Sequence, residues 1–390
     1  MRAIVIDSEP VTSQHTEGSL YTTRTASKDL CNPKVYAADL PEPEIGDTDI
    51  LIKVAACGLC GSDVAMTSQD ANGFVHYPFM MSNFIVPGHE FSGTVAHFGK
   101  KVRSFWKDIY QEIPVVAQCV LNCGYCAACK IGEFDCCKNA AELGFTHNGA
   151  MAEYCAVDMR HVWSIESLAR KYDSNNIFLT GSLVEPHAGV FKAITESTFQ
   201  PGDDVLVIGL GPIGLAAVNV YKALGAGIIL ACDPSEPRQK IAETLGVSFA
   251  FGPDLPIDEV VALTTKRGVS CIFEASGSAE KNWSTVTSIL STGPEKAELT
   301  FFGQSKTDLN INPQPFIQKY LRFSGSHGHT KVWEQVISLF AAGRINPLPM
   351  ITKKVALTDV PQWLENLRTN KNDGKITITS FQGATDATRK

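Results

Sequence analysis

Positive charge is in short supply in this sequence: 34 Lys and Arg stand against 41 Asp and Glu, for a formal net charge of −7 and a pI near 5.8. That balance argues against nucleic acid or an anionic membrane surface as the main partner and leaves a small molecule as the better fit. Unbroken apolar runs are missing too. The longest, Val205 to Tyr221, is interrupted by Gly209, Gly211, Pro212 and Gly214, which suits a strand and a phosphate turn better than a membrane-crossing helix. The opening residues Met1 to Asp7 contain no apolar stretch followed by a small-residue cleavage site, so they are read as a short strand and not as a secretory leader. Cysteine, by contrast, is plentiful. Twelve cysteines in a chain without an export signal are expected to be metal ligands or buried thiols instead of disulfides, and the protein is expected in the cytoplasm.

At 390 residues the chain is long for a single core, so two domains are expected. The first part is β-rich: Arg2 to Ile6 and Ile50 to Val54 read as strands, separated by a polar segment rich in Ser, Thr and Pro between Ser8 and Asp49. Two motifs follow, A-C-G-L-C-G-S-D at 56–63 and P-G-H-E at 87–90. A thiolate, an imidazole and a carboxylate drawn from separate segments can hold a zinc ion that keeps one position open for substrate. Cys57 and Cys60 compete for the thiolate role, His89 offers the imidazole and Glu90 a carboxylate, against the alternative that each is an ordinary buried residue.

Further along, Cys123, Cys126, Cys129 and Cys137 fall in the spacing C-x2-C-x2-C-x7-C, with Cys136 the competitor for the fourth place. Four thiolates so close complete a tetrahedral zinc shell with no open position, which stabilises a loop and does no chemistry. The third motif is D-D-V-L-V-I-G-L-G-P-I-G-L-A-A-V at 203–218. A buried strand runs into Gly209, Gly211, Pro212, Ile213 and Gly214 and then an Ala- and Val-rich helix. Such a turn lets backbone amides approach a pyrophosphate at a helix N-terminus. The next strand ends at Asp233, ~20 residues on, where a carboxylate accepts from both ribose hydroxyls and repels a 2′-phosphate. NAD is therefore expected over NADP, with nearby Arg238 as the counter-indication. Strands at 271–277, 298–303 and 321–324, alternating with helices, imply a doubly wound parallel sheet.

The motif A-C-G-L-C-G-S-D, with P-G-H-E, the cysteine cluster and the glycine turn in this order, resembles the zinc-dependent medium-chain alcohol and polyol dehydrogenases over nearly the whole chain. With the E-L-G-F, G-A-M-A-E-Y and G-S-L-V-E-P segments, it looks most similar to polyol and cyclitol members of the scyllo-inosose dehydrogenase kind. The resemblance implies an α/β protein: a GroES-like β-rich catalytic domain at 1–184 and 326–390, and a Rossmann domain at 185–325. It implies two zinc ions per chain, a structural one on the four cysteines and a catalytic one on Cys60, His89 and Glu185, with Glu90 either binding zinc directly or standing behind it. Ser62 would take the proton of the alcohol, Asp63 would orient the ligating imidazole, and Cys57 would be a packing residue.

The sequence departs from that pattern at Ala65, where many relatives carry a proton-relaying histidine, and in residues 66–86, a longer insertion that is either a surface loop or a wall of the substrate pocket, with His76 a polar candidate. His187 reads as a core histidine, a proton carrier or a substrate contact, and His327 and His329 as candidates for contacting hydroxyls. The expected partner is a small alcohol or ketone bound in the cleft between domains of a homodimer or homotetramer. The competing readings are an enzyme for an amino alcohol or simple alcohol, and a non-catalytic NAD-binding protein.

Overall fold

The computed structural model describes residues 1–10, 29–264, 268–292, 296–304 and 308–381; positions 11–28 of the polar segment and the last nine positions expected in the catalytic domain lie outside them. Contacts divide the chain into two units, Met1–Glu185 with Lys353–Asn370 and Ile376–Lys390, and Pro186–Thr352 with Lys371–Lys375.

The first unit is built on antiparallel sheet. Strand Asp49–Gly58 lies between Glu90–Phe98 and Lys375–Ser380 in a seven-stranded sheet, and also pairs with Tyr154–Asp158. Its buried face contributes Ile50, Ile52 and Val54 to a core shared with Phe91, Val95, Val115 and Ile376. A three-stranded sheet joins Arg2–Pro10 to Leu30–Asp39 and Phe84–Ile85. The strand Leu30–Asp39 falls inside the polar segment between Ser8 and Asp49, where no strand is read. It is an edge strand with mostly solvated side chains, so its composition carries no apolar signature.

The second unit is a six-stranded sheet in the order Phe249–Phe251, Ile229–Cys232, Val205–Ile208, Cys271–Glu274, Glu298–Phe301, Arg322–Gly325, every pairing parallel. Numbered along the chain the order is 3-2-1-4-5-6, the doubly wound arrangement that binds dinucleotides outside the carboxyl ends of its strands. The short strand Phe249–Phe251 was not anticipated, because three residues on a sheet edge leave no periodic pattern. Helix Pro212–Ala223 is buried continuously from Gly214 to Tyr221, as a helix against a parallel sheet must be.

The return to the first unit comes at Lys353 and not at 326. Helix Trp333–Ala341 turns Trp333, Val336, Ile337 and Phe340 inward, and Phe340 packs edge-on against His187 with ring centroids 5.0 Å apart, which keeps this segment in the second unit.

Candidate functional site

Sheet register brings the two separated motifs together. Gly58 pairs with Glu90 and Cys57 with Phe91 across adjacent antiparallel strands, so the residues that follow Gly58 and those that precede Glu90 emerge at the same sheet end. Cys60 then caps helix Gly61–Thr67, donating its backbone N–H to Asp63 Oδ2 at 2.8 Å. The other oxygen of Asp63 stands 3.9 Å from His89 Nδ1. One buried carboxylate thus fixes the position of Cys60 and faces the ring of His89. Gly88 makes the approach possible: its φ is +98°, and a Cβ there would meet Met151 N at 2.8 Å and Cys57 Sγ at 3.0 Å.

The ligand atoms of Cys60, His89 and Glu90 all lie within 4.8 Å of one another. His89 and Glu90 are buried, at 4% and 1% exposure. Burial opposes a charge on His89, but the neighbouring Cys60, Asp63 and Glu185 outweigh it and push the imidazole up to about 10. A pocket that binds a proton so firmly carries surplus negative charge, and a divalent cation answers that surplus with the sulfur, nitrogen and oxygen donors zinc prefers. His89 Nδ1 and Ser62 Oγ are buried without a hydrogen bond, the condition expected of groups arranged for something other than each other. The residues present therefore fit a zinc ion.

Glu185 does not belong to the close trio, although its charge reaches both His89 and Cys119. Cys57 is fully buried in the sheet core, where a packing residue belongs. Cys119, which has no place in either cysteine pattern, is buried beside the site, its thiol pushed up by burial and then by Glu185, Glu142 and Cys60.

In the cysteine lobe, Sγ of Cys123, Cys126, Cys129 and Cys137 converge, with separations of 3.6 Å for 126–129, 3.8 Å for 126–137, 3.6 Å for 123–137 and 4.0 Å for 123–129. A tetrahedron with zinc–sulfur bonds of about 2.3 Å has edges of about 3.8 Å, so the sulfurs already hold that shape. Backbone N–H groups of Tyr125 and Cys126 point at Cys123 Sγ and pull its thiol down to about 6. Cys136 is exposed and outside the four.

At the glycine turn, Gly209 has φ +88°, and a Cβ on Gly214 would sit 1.7 Å from Gly209 O, so helix and strand close only on glycine. Gly211 caps the helix, with Pro212 at its first position and Pro212 and Ile213 half-buried. Asp233 is buried; Oδ2 accepts the Leu210 N–H at 2.6 Å and Oδ1 that of Ser235 at 2.8 Å, which anchors the carboxylate beside the turn. Arg238 donates Nε–H to Asp373 O at 3.0 Å, with Nη1 3.9 Å from where a Gly211 Cβ would lie.

The other histidines sort by burial. His187 is enclosed, its Nε2 3.3 Å from Asn219 Nδ2, as a core residue would be. His329 is also buried and accepts from Trp333 Nε1 at 3.2 Å, whereas His327 and His76 are exposed. Tyr77 and Phe145, which sequence reasoning did not single out, lie next to the trio: Phe145 is 4.8 Å from His89 and 5.0 Å from Tyr77, ring centre to ring centre. The alternation of Val75, Tyr77 and exposed His76 and Pro78 was the available signal.

Residues 46–167 match the family described as "Alcohol dehydrogenase GroES-like domain" and residues 212–342 the family described as "Zinc-binding dehydrogenase". The chain is 34% identical over 372 residues to scyllo-inosose 3-dehydrogenase of Thermotoga maritima, covering 93% of each. It is 29% identical over 337 residues to L-threonine 3-dehydrogenase of Bacillus velezensis, covering 85% of this chain and 91% of that one. A solved structure from Thermotoga maritima, assigned as an alcohol dehydrogenase, superposes with a TM-score of 0.90 at 33% identity, covering 97% of this chain and 100% of that one.

Proposed function

The chain belongs to the zinc-binding, GroES-like alcohol dehydrogenases, and on that premise we propose that it oxidises a secondary alcohol of the polyol or cyclitol class with NAD. The observation that carries the reading is the convergence of Cys60, His89 and Glu90 within 4.8 Å in a buried, anion-rich pocket. In this reading Cys60 and His89 hold a catalytic zinc with Glu90 or Glu185, and Cys123, Cys126, Cys129 and Cys137 hold a structural one. When bound, zinc supplies a Lewis acid that lowers the pKa of the substrate hydroxyl, and NAD accepts the hydride.

The chain's own residues do the rest. Ser62, whose buried Oγ makes no hydrogen bond, takes the hydroxyl proton. Asp63 holds the helix start at Cys60 and keeps the His89 ring in orientation. The backbone at Gly209, Gly211, Pro212, Ile213 and Gly214 receives the pyrophosphate at a helix N-terminus, Asp233 accepts from the ribose and Arg238 flanks the turn. The anchored carboxylate at 233 favours NAD over NADP, and the 34% identity to a cyclitol enzyme favours polyols.

A screen of NAD and NADP reduction against inositols, sugar alcohols, simple alcohols and L-threonine, with zinc counted per chain, tests the reading. Two zinc ions and preference for cyclic polyols with NAD are expected. Chelated protein that oxidises alcohols at the normal rate sinks it. L-threonine belongs in the panel because a threonine dehydrogenase is also among the similar proteins, which makes an amino alcohol the second reading. We also expect a homodimer or homotetramer in the cytoplasm, the former checked by light scattering; no helix among the described residues is long and apolar enough to cross a membrane.

A further inference from the structure

The insertion between Cys60 and His89 is tied down at both ends of its turn. Asp70 Oδ1 accepts the backbone N–H groups of Asn72 at 2.8 Å and Phe74 at 3.0 Å, closing the turn with its own side chain. His76 N donates to Ser68 O at 2.9 Å, Val75 N to Leu30 O at 3.1 Å and Ser82 N to Phe145 O at 2.8 Å. Held on three sides, the segment turns Val75, Tyr77 and Met81 into a buried cluster with Met66, Ile85, Cys119 and Phe145, while His76, Pro78 and Met80 stay outside.

Tyr77 is the polar member of that inward row. Its ring stacks on Phe145 at 5.0 Å and 14°, and Phe145 in turn covers the His89 imidazole at 4.8 Å. Only 3% of Tyr77 is exposed, and its hydroxyl, which hydrogen-bonds no described residue, is not sealed from solvent. A phenol that packs its ring so well while its O–H stays accessible can donate to a ligand bound beside it. Burial and the charges of Glu142, Cys119, Cys60 and Asp63 raise its pKa, so it remains a donor. The carboxyl groups whose charge reaches it, Glu142 and Asp63, offer oxygens that accept. A polyhydroxylated substrate brings oxygens that need donors as well.

We propose that Tyr77 is a specificity residue of the alcohol site, its hydroxyl donating a hydrogen bond to an oxygen of a polyol other than the one being oxidised. The inference rests on the reading of Cys60, His89 and Glu90 as the alcohol-binding centre, and adds to it a residue from the insertion. A substrate with a single hydroxyl has no oxygen to spend on this contact, so Tyr77 separates polyols from simple alcohols of the same ring size.

The test is Tyr77→Phe, which keeps the ring stack and removes one oxygen, measured with myo-inositol and with cyclohexanol, the same six-membered ring bearing one hydroxyl. The ratio of kcat/KM for myo-inositol to that for cyclohexanol is expected to fall about ten-fold, the size of one lost hydrogen bond, with metal content equal to wild type. An unchanged ratio, whether because both rates hold or because both fall together, overturns the proposal. Calorimetric titration of myo-inositol into the zinc- and NADH-loaded proteins gives a second readout. The variant should bind about ten-fold more weakly, and equal affinity, or no binding to wild type, also overturns it. If wild type oxidises neither compound, the titration alone decides the role of Tyr77, and the dehydrogenase reading is judged on the wider substrate panel.

Discussion

The first unit contains two clusters of side chains that could hold a metal ion, and they are assembled in opposite ways. The lobe at Cys123, Cys126, Cys129 and Cys137 draws like donors from one short stretch, each sulfur 3.6–4.0 Å from its neighbours and Cys123 held by local backbone N–H groups. The Cys60–His89–Glu90 site draws unlike donors from strands paired by sheet register, under a glycine whose φ is +98°. A shell of four thiolates closes on its metal and stabilises a loop. A shell of three protein donors leaves a position open, and when they come from distant segments it needs the whole sheet to hold it in shape. The contrast shows why a stability site can be local and a chemical site cannot: reactivity requires an incomplete shell, and an incomplete shell cannot organise its own surroundings.

The sharpest way to break this contrast is to remove one sulfur from each cluster. Cys60→Ala should lower kcat/KM by about 10³-fold or more with an unchanged circular dichroism spectrum, whereas Cys57→Ala should leave most turnover intact; the reverse result would show that the thiolate was assigned to the wrong cysteine. Next in size, Ser62→Ala should cost about 10²-fold in kcat while zinc content by atomic absorption stays at wild type, because the hydroxyl carries a proton and holds no metal.

In the lobe, Cys123→Ala should act on stability instead. A drop in thermal midpoint of about 10 °C, with half the zinc lost and turnover at low temperature reduced far less than in Cys60→Ala, is the expected calorimetric and kinetic outcome. Equal loss of activity in both variants would erase the distinction drawn between the clusters.

A smaller effect follows from His89. Its folded pKa, about 10, lies above the unfolded value near 6.5, so in chelated protein the protonated ring contributes stability that is complete below pH ~6.5 and lost as pH rises through about 10. Zinc-loaded protein, with a neutral ligating imidazole, should not show this decline. Thermal melts of both forms between pH 6 and 10 decide it, and parallel curves would mean that His89 is not the proton acceptor of the emptied pocket.

Legibility in the sequence tracked locality. The glycine turn and the cysteine lobe could be read because their geometry is written within a dozen or so residues: Gly214 must be glycine for lack of space against Gly209 O, and the four cysteines are near neighbours in the chain. Cys60 and His89 were legible as parts, through a resemblance, but nothing in their spacing says which strand pairing unites them. The strand Leu30–Asp39 was hidden because an edge strand facing water has no apolar alternation, and the late return at Lys353 because the contact between Phe340 and His187 joins residues far apart in the chain. Tyr77 and Cys119 were invisible as site residues, since a buried tyrosine or thiol reads the same in any core.

The order of residues alone determined the chemistry on offer here: thiolates in a tetrahedral spacing, a glycine turn after a buried strand, an acidic residue at the end of the next, and an anionic chain suited to a small molecule. Only the tertiary structure decided which of those groups meet. Cys60, His89 and Glu90 converge because antiparallel register sets Gly58 beside Glu90, and Tyr77 stacks on Phe145 beside His89 because a pinned turn rotates alternate side chains inward. Pairing and register are set by the burial of many side chains at once, a collective balance that no single motif records.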